Sequence, residues 1–100
     1  PTVAEGRRAK VDGKPCRLCP IGTVEAHHIV HRGRMPKHSP LLHHADNLMP
    51  LCHRHHQNHH TGGRIARVPR HALTAAEVAF LLEHGGEGWA DRWYPVEAQR

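Results

Sequence analysis

The residues from Cys52 to Thr61, CHRHHQNHHT, place five histidines and one cysteine within ten positions. Imidazole is the commonest metal ligand and the commonest acid–base side chain near neutral pH. Metal binding, proton transfer or both are therefore indicated. The run is interior, headed by Cys52 and interrupted by Arg54, Gln57 and Asn58, unlike the bare terminal run of a purification tag.

Upstream lies a second cysteine motif, Cys16-Arg-Leu-Cys19. Zinc takes four tetrahedral soft or borderline ligands, and two knuckles brought together supply them. Cys16-x-x-Cys19 paired with Cys52-x-x-His55 makes a closed Cys3His structural site. A redox CxxC is the competing reading, but no thioredoxin-like βαβ pattern surrounds it. Three cysteines are an odd number, and they fit metal binding in a reducing compartment better than a disulfide framework.

One histidine of the cluster is used in that site. On a helix His55 and His56 point about 100° apart, so if His55 faces the zinc, His56 faces elsewhere. His60, four residues on, shares the side of His56. The two form a ready pair for a second metal. His59 is four residues after His55 and competes with it as the zinc ligand; His53 has no clear partner and reads as solvated.

Further donors stand in Glu25-Ala-His27-His28. Neighbours on a strand point to opposite faces. One of the two histidines can therefore reach an ion while the other stands free as a base. Such a division of labour suits phosphodiester hydrolysis, in which a metal neutralises phosphoryl and leaving oxygens and a neutral histidine deprotonates water.

Elements that would position these groups follow from local pattern. CRLC runs into Pro20 and Gly22 and should form a tight knuckle. TVEAHHIV, residues 23–30, is rich in β-branched residues and suits a strand. Residues 31–46 read as a long irregular loop. In NLMPLC, residues 47–52, Pro50 is tolerated only near an edge or in a turn. Residues 53–60 should form a short helix ended by Gly62-Gly63. The clearest helix spans 72–86, with a Thr74/Glu77 capping box, Gly85 near its end and an apolar face of Val78, Leu81 and Leu82. Trp89, Trp93 and Tyr94 should pack onto the domain.

One hundred residues with 4% aromatic content make one thin-cored domain, a size often helped by a metal. A formal net charge of +5 favours a polyanionic partner such as nucleic acid. Neither a membrane span nor a signal peptide is apparent, so a soluble, cytoplasmic protein is expected. The chain divides into a basic, loosely held arm (1–14), a core carrying the motifs (15–63) and a C-terminal extension (64–100). In the loop, Arg32 and Arg34 are the first choices for contacts to phosphate.

In their order, CRLC, EAHHIV, ADNLMPLC and HRHHQNHH resemble the HNH endonucleases in their zinc-knuckle form, common in bacteriophages and actinobacteria. The resemblance covers Cys16 to His60. It implies an α+β fold: a small ββα-metal (His-Me finger) domain with a structural zinc knuckle, a long loop and flanking helices. It further implies that His27, His56 and His60 bind the catalytic divalent ion, that His28 is the general base, and that Asn47 holds the loop so that the base is oriented. Cys16, Cys19, Cys52 and His55 would hold structural Zn²⁺. The family usually has cysteine at the position of His55, and many members have aspartate at that of His27. The second departure moves the expected ion from Mg²⁺ toward Mn²⁺, Ni²⁺ or Zn²⁺. The implied substrate is double-stranded DNA, cut with low sequence specificity or through a targeting or packaging partner, in a bacterial or phage-infected cell.

Two readings from other classes compete. A zinc-ribbon nucleic-acid-binding module would need the two knuckles but neither Asn47 nor His56. A metal buffer would account for 13 histidines, of which 11 lie between His27 and His60, but would not require an interleaved asparagine loop.

Overall fold

The computed structural model describes residues 1–96. Those residues form a mixed α/β domain built on two strands and four α-helices. In chain order these are α1 (Val3–Lys10), β1 (Glu25–His28), β2 (Leu48–Leu51), α2 (His53–Thr61), α3 (Ala75–His84) and α4 (Glu87–Trp93), with short 3₁₀ turns between. No helix among the described residues is long and apolar enough to cross a membrane.

The two strands pair antiparallel, with His27 opposite Met49 and His28 opposite Leu48. The ladder is shorter than the predicted 23–30 segment because its last rung is half made: the Ile29 N–H donates to the Asn47 carbonyl at 2.8 Å, but the Asn47 N–H turns to the His44 carbonyl and the Ile29 carbonyl accepts from Tyr94 instead. Pro50 sits opposite Ala26 in β2, where a two-stranded sheet leaves every strand an edge. Its carbonyl accepts from the Arg17 N–H at 2.9 Å, so the CRLC knuckle docks on that edge.

One residue, Cys52, separates β2 from helix α2 and is its N-cap, and Gly62 closes the helix by donating to the Asn58 carbonyl. In α3 the Thr74/Glu77 capping box forms as the sequence predicts, and Gly85 is the C-cap. The helix is shorter than the predicted 72–86 because Ala72 ends a 3₁₀ turn, Arg70–Ala72, Leu73 is extended, Thr74 is the N-cap and the helix stops at His84. Its inward face also differs. Phe80 and Leu81 are buried and Val78 packs partly against the core, whereas Leu82 is 38% exposed. Tyr94 is fully buried, and Trp89 and Trp93 pack against the core as expected.

The N-terminal segment corrects the loose-arm expectation. Thr2 and Glu5 make a reciprocal capping box and residues 3–10 are helical. Gly6 is buried where a side chain would collide with the His43 carbonyl and a Leu48 methyl. Lys10 reaches across to the fully buried Glu77 carboxylate at 2.6 Å and to the Ala45 and Leu48 carbonyls. A carboxylate without charged partners is costly to bury. Lys10 and Arg17 supply the charge that Glu77 needs, and so order the arm.

Candidate metal centres and the flanking histidine

The knuckles meet at the start of α2. Ligand atoms of Cys16, Cys19, Cys52 and His55 all lie within 4.8 Å of one another. Cys19 Sγ is 3.8 Å from Cys52 Sγ, and His55 Nδ1 is 3.6 Å from Cys16 Sγ and 3.3 Å from Cys52 Sγ. A tetrahedral zinc, with bond lengths near those typical for thiolate and imidazole, has S–S edges of about 3.8 Å and S–N edges of about 3.5 Å. The four groups are compatible with a structural metal.

Backbone groups favour thiolate here. The Leu18 N–H points at Cys16 Sγ at 3.4 Å, and the knuckle is closed by Cys16 N–H donating to the Ile21 carbonyl. Burial pushes the Cys16 thiol up, but N–H groups of Cys52 and Leu18 and the His55 ring together hold it down to about 6. His59 does not enter this site, which removes it as a competitor of His55. It is fully buried, and its Nδ1 accepts the Val68 N–H at 2.9 Å.

The second group is His27, His56 and His60, whose ligand nitrogens also fall within 4.8 Å of one another. His27 comes from β1, and the other two from one side of α2, as the i, i+4 spacing requires. The donor set fits a divalent ion. His27 Nδ1 is buried and has no hydrogen-bond partner, which is costly unless something occupies it. His56 Nδ1 lies 2.7 Å from a Glu25 carboxylate oxygen. A ligating histidine characteristically gives its other ring N–H to such an acceptor. His60 is exposed, leaving one side of the group open to solvent. Burial first, then repulsion from neighbouring imidazoles, pushes His27 well below the ordinary histidine value and lowers His60. The neutral form, which carries the metal-binding lone pair, is favoured.

His28 makes different contacts. Its Nε2 is 2.9 Å from His43 Nδ1, in the long loop. Burial depresses its pKa to about 4, helped by the nearby charges of His43, Arg32 and His56. It is neutral at pH 7. Asn47 is fully buried and spans the loop: Oδ1 accepts from the Val30 N–H at 2.7 Å, and Nδ2 donates to the Val30 and Leu42 carbonyls at 3.1 and 2.9 Å. The one side chain thus ties the exit of β1 to the end of the loop that carries His43.

Arg32 and Arg34 part company. Arg32 is exposed and makes no side-chain hydrogen bond or ion pair among the described residues, beside His28 and His43. Arg34 Nε and Nη2 both donate to the Gly85 carbonyl, at 3.0 and 2.8 Å. Its guanidinium closes the loop on the C-terminus of α3. His53 is likewise not simply solvated; its Nδ1 is 2.9 Å from Glu25. From sequence Tyr94 reads as a packing residue, and His43 only as one of several loop residues able to touch phosphate. Tyr94 lies 67 positions from His27 and touches it, a separation that no local pattern encodes.

The chain matches no family model, no curated protein and no solved structure. The functional reading therefore rests on the residues and their geometry.

Proposed function

We propose that the protein is an HNH-type, ββα-metal endonuclease that hydrolyses phosphodiester bonds of duplex DNA with a divalent ion held by His27, His56 and His60. One observation carries the reading: a neutral histidine, His28, stands next in sequence to a buried histidine of a three-imidazole group, while Asn47 fixes the loop beside it. A zinc-binding module without catalysis needs the Cys3His knuckle but has no use for that combination.

When bound, the ion supplies charge stabilisation to the phosphoryl and leaving oxygens. The remaining work falls to this chain. With Nε2 engaged by His43, the nitrogen of His28 left to accept a proton from water is Nδ1. The imidazolium so formed donates Nε2–H to His43, which holds the ring in place as an orienting partner does for any general base. Asn47 keeps His43 and the end of β1 in register. Arg32, exposed beside this pair, is placed for a backbone phosphate, a contact that positions the duplex without reading its sequence.

The test is conversion of supercoiled plasmid by protein first chelated and then given Mg²⁺, Mn²⁺, Ni²⁺ or Zn²⁺, beside His28→Ala. Removal of a general base costs about 10²–10⁴-fold in rate. Metal-dependent nicking or linearisation that falls by that factor in His28→Ala, with zinc content unchanged, supports the assignment. If neither protein cuts with any ion and both retard DNA on a gel, the binding-module reading replaces it.

A further inference from the structure

We propose that Tyr94 fixes the tautomer of His27 so that Nδ1 is the nitrogen offered to the divalent ion. This makes the C-terminal segment a positioning element of the metal site, and it rests on the reading of that site given above. The argument is a count of protons. The Tyr94 hydroxyl has one, and its oxygen lies 2.8 Å from the Ile29 carbonyl oxygen, a group that can only accept. That contact is attractive only if Tyr94 donates. The same oxygen lies 2.7 Å from His27 Nε2. With its proton committed to Ile29, it can only accept there, so His27 carries its hydrogen on Nε2. A neutral imidazole holds one ring proton, and the lone pair is left on Nδ1.

Independent evidence comes from the other nitrogen. His27 Nδ1 is buried, without a protein partner, and the ring is surrounded by those of His56, His59 and His60, with centroids 5.0, 4.9 and 5.5 Å away. The reverse tautomer would aim an N–H into this group without an acceptor and set two lone pairs against each other at Tyr94. His56 is fixed in the opposite sense. Its Nδ1–H donates to the Glu25 carboxylate, which leaves Nε2 free. Two ligands thus present different nitrogens, each set by a separate residue, Glu25 in β1 and Tyr94 at the end of α4.

Tyr94 is well suited to this, because its own position is fixed. Its N–H donates to the Ala90 carbonyl at 2.8 Å, and its carbonyl accepts from Arg70 Nε at 3.1 Å. Tyr94→Phe keeps the ring and removes the hydroxyl.

The experiment has two readouts on the full, zinc-loaded chain. Nitrogen-15 NMR of labelled histidine in the parent, before any second ion is added, reports the tautomer of His27 without need of a variant; Nε2–H is expected, and Nδ1–H overturns the proposal. Calorimetric titration with Ni²⁺ then compares the parent with Tyr94→Phe and His27→Ala. Loss of an outer-shell partner weakens metal affinity about 10–100-fold, so Tyr94→Phe should fall in that range while structural zinc is retained. Unchanged Ni²⁺ affinity in Tyr94→Phe, with affinity lost in His27→Ala, overturns the role of Tyr94 and leaves the metal site standing. A parent that takes up no second ion, whatever its tautomer, overturns the metal site and the proposal with it.

Discussion

The two groups that could hold a metal ion share helix α2 and differ in nearly every physical respect. The Cys16, Cys19, Cys52 and His55 group is closed: four donors, three of them thiols, stand at spacings close to those of a tetrahedral zinc. The His27, His56 and His60 group has three donors graded from buried to exposed, and its solvent side is open. A complete ligand set satisfies an ion and leaves it nothing to do, whereas an incomplete one leaves a position for substrate or water. One helix serves both because adjacent residues, His55 and His56, diverge by about 100° around its axis.

If the closed site is structural, breaking it should abolish the fold. Structural zinc contributes about 10–16 kcal/mol of binding free energy, against a total stability of about 5–15 kcal/mol for an ordinary domain. Cys52→Ala removes one thiolate and also leaves a void at a nearly buried position. The expected outcome is loss of bound zinc and of the cooperative thermal transition, followed by zinc content and circular dichroism. A variant that still melts cooperatively within a few degrees of the parent would show that the knuckle does not support the fold.

The next largest effect concerns what anchors the knuckle. Arg17, inside CRLC, makes two hydrogen bonds to Glu77, at 2.8 and 3.0 Å, and Lys10 adds a third cation contact. Burial alone would raise the Glu77 carboxyl; hydrogen bonds from Arg17, Lys10 and the Thr74 backbone overcome it and hold it below the ordinary value of 4.5. A depressed folded-state pKa contributes stability that is complete above the unfolded value and is lost as pH falls through the folded one. Glu77→Gln should therefore cost about 2–3 kcal/mol at neutral pH, and its deficit relative to the parent should shrink as the pH falls below 4.5. Melting both proteins across that range, with zinc saturating, checks the sign. A deficit that stays constant with pH would mean that the carboxylate charge is not what holds α1 and the knuckle to α3.

The motifs, and the meeting of the two knuckles, are legible in the sequence; partners that belong to no motif are not. The two knuckles are spaced motifs whose ligands lie within one turn, and His56 and His60 are one helical turn apart, so residue spacing alone brings each set together. Asn47 was identified through its family resemblance, and its side chain does span the loop. The N-terminal helix has a readable signal, Thr2 followed by Glu5, but its basic residues and lack of apolar periodicity suggest a loosely held arm. What orders it is Lys10 meeting Glu77, a partner supplied by tertiary structure. Tyr94 and His43 escaped for the same reason. Each meets its histidine only because a strand, a loop and the C-terminal segment converge, and no periodicity records that convergence.

The smallest expected effect separates the two sites most sharply. Glu25 belongs only to the open group, where it accepts from His56 and His53 and is held as a carboxylate below its ordinary pKa by those two hydrogen bonds, the one from His56 being the stronger influence. Its side chain is 45% exposed, so water can partly replace it, and the lower end of the usual outer-shell range applies. Glu25→Gln should weaken Ni²⁺ binding at the second site about tenfold, or about 1.4 kcal/mol. Zinc content and melting temperature should stay at parental values, because no ligand of the closed site touches Glu25. A simultaneous loss of structural zinc would mean that the two sites are coupled through α2 rather than merely mounted on it. The helix would then have to be treated as one metal-binding unit.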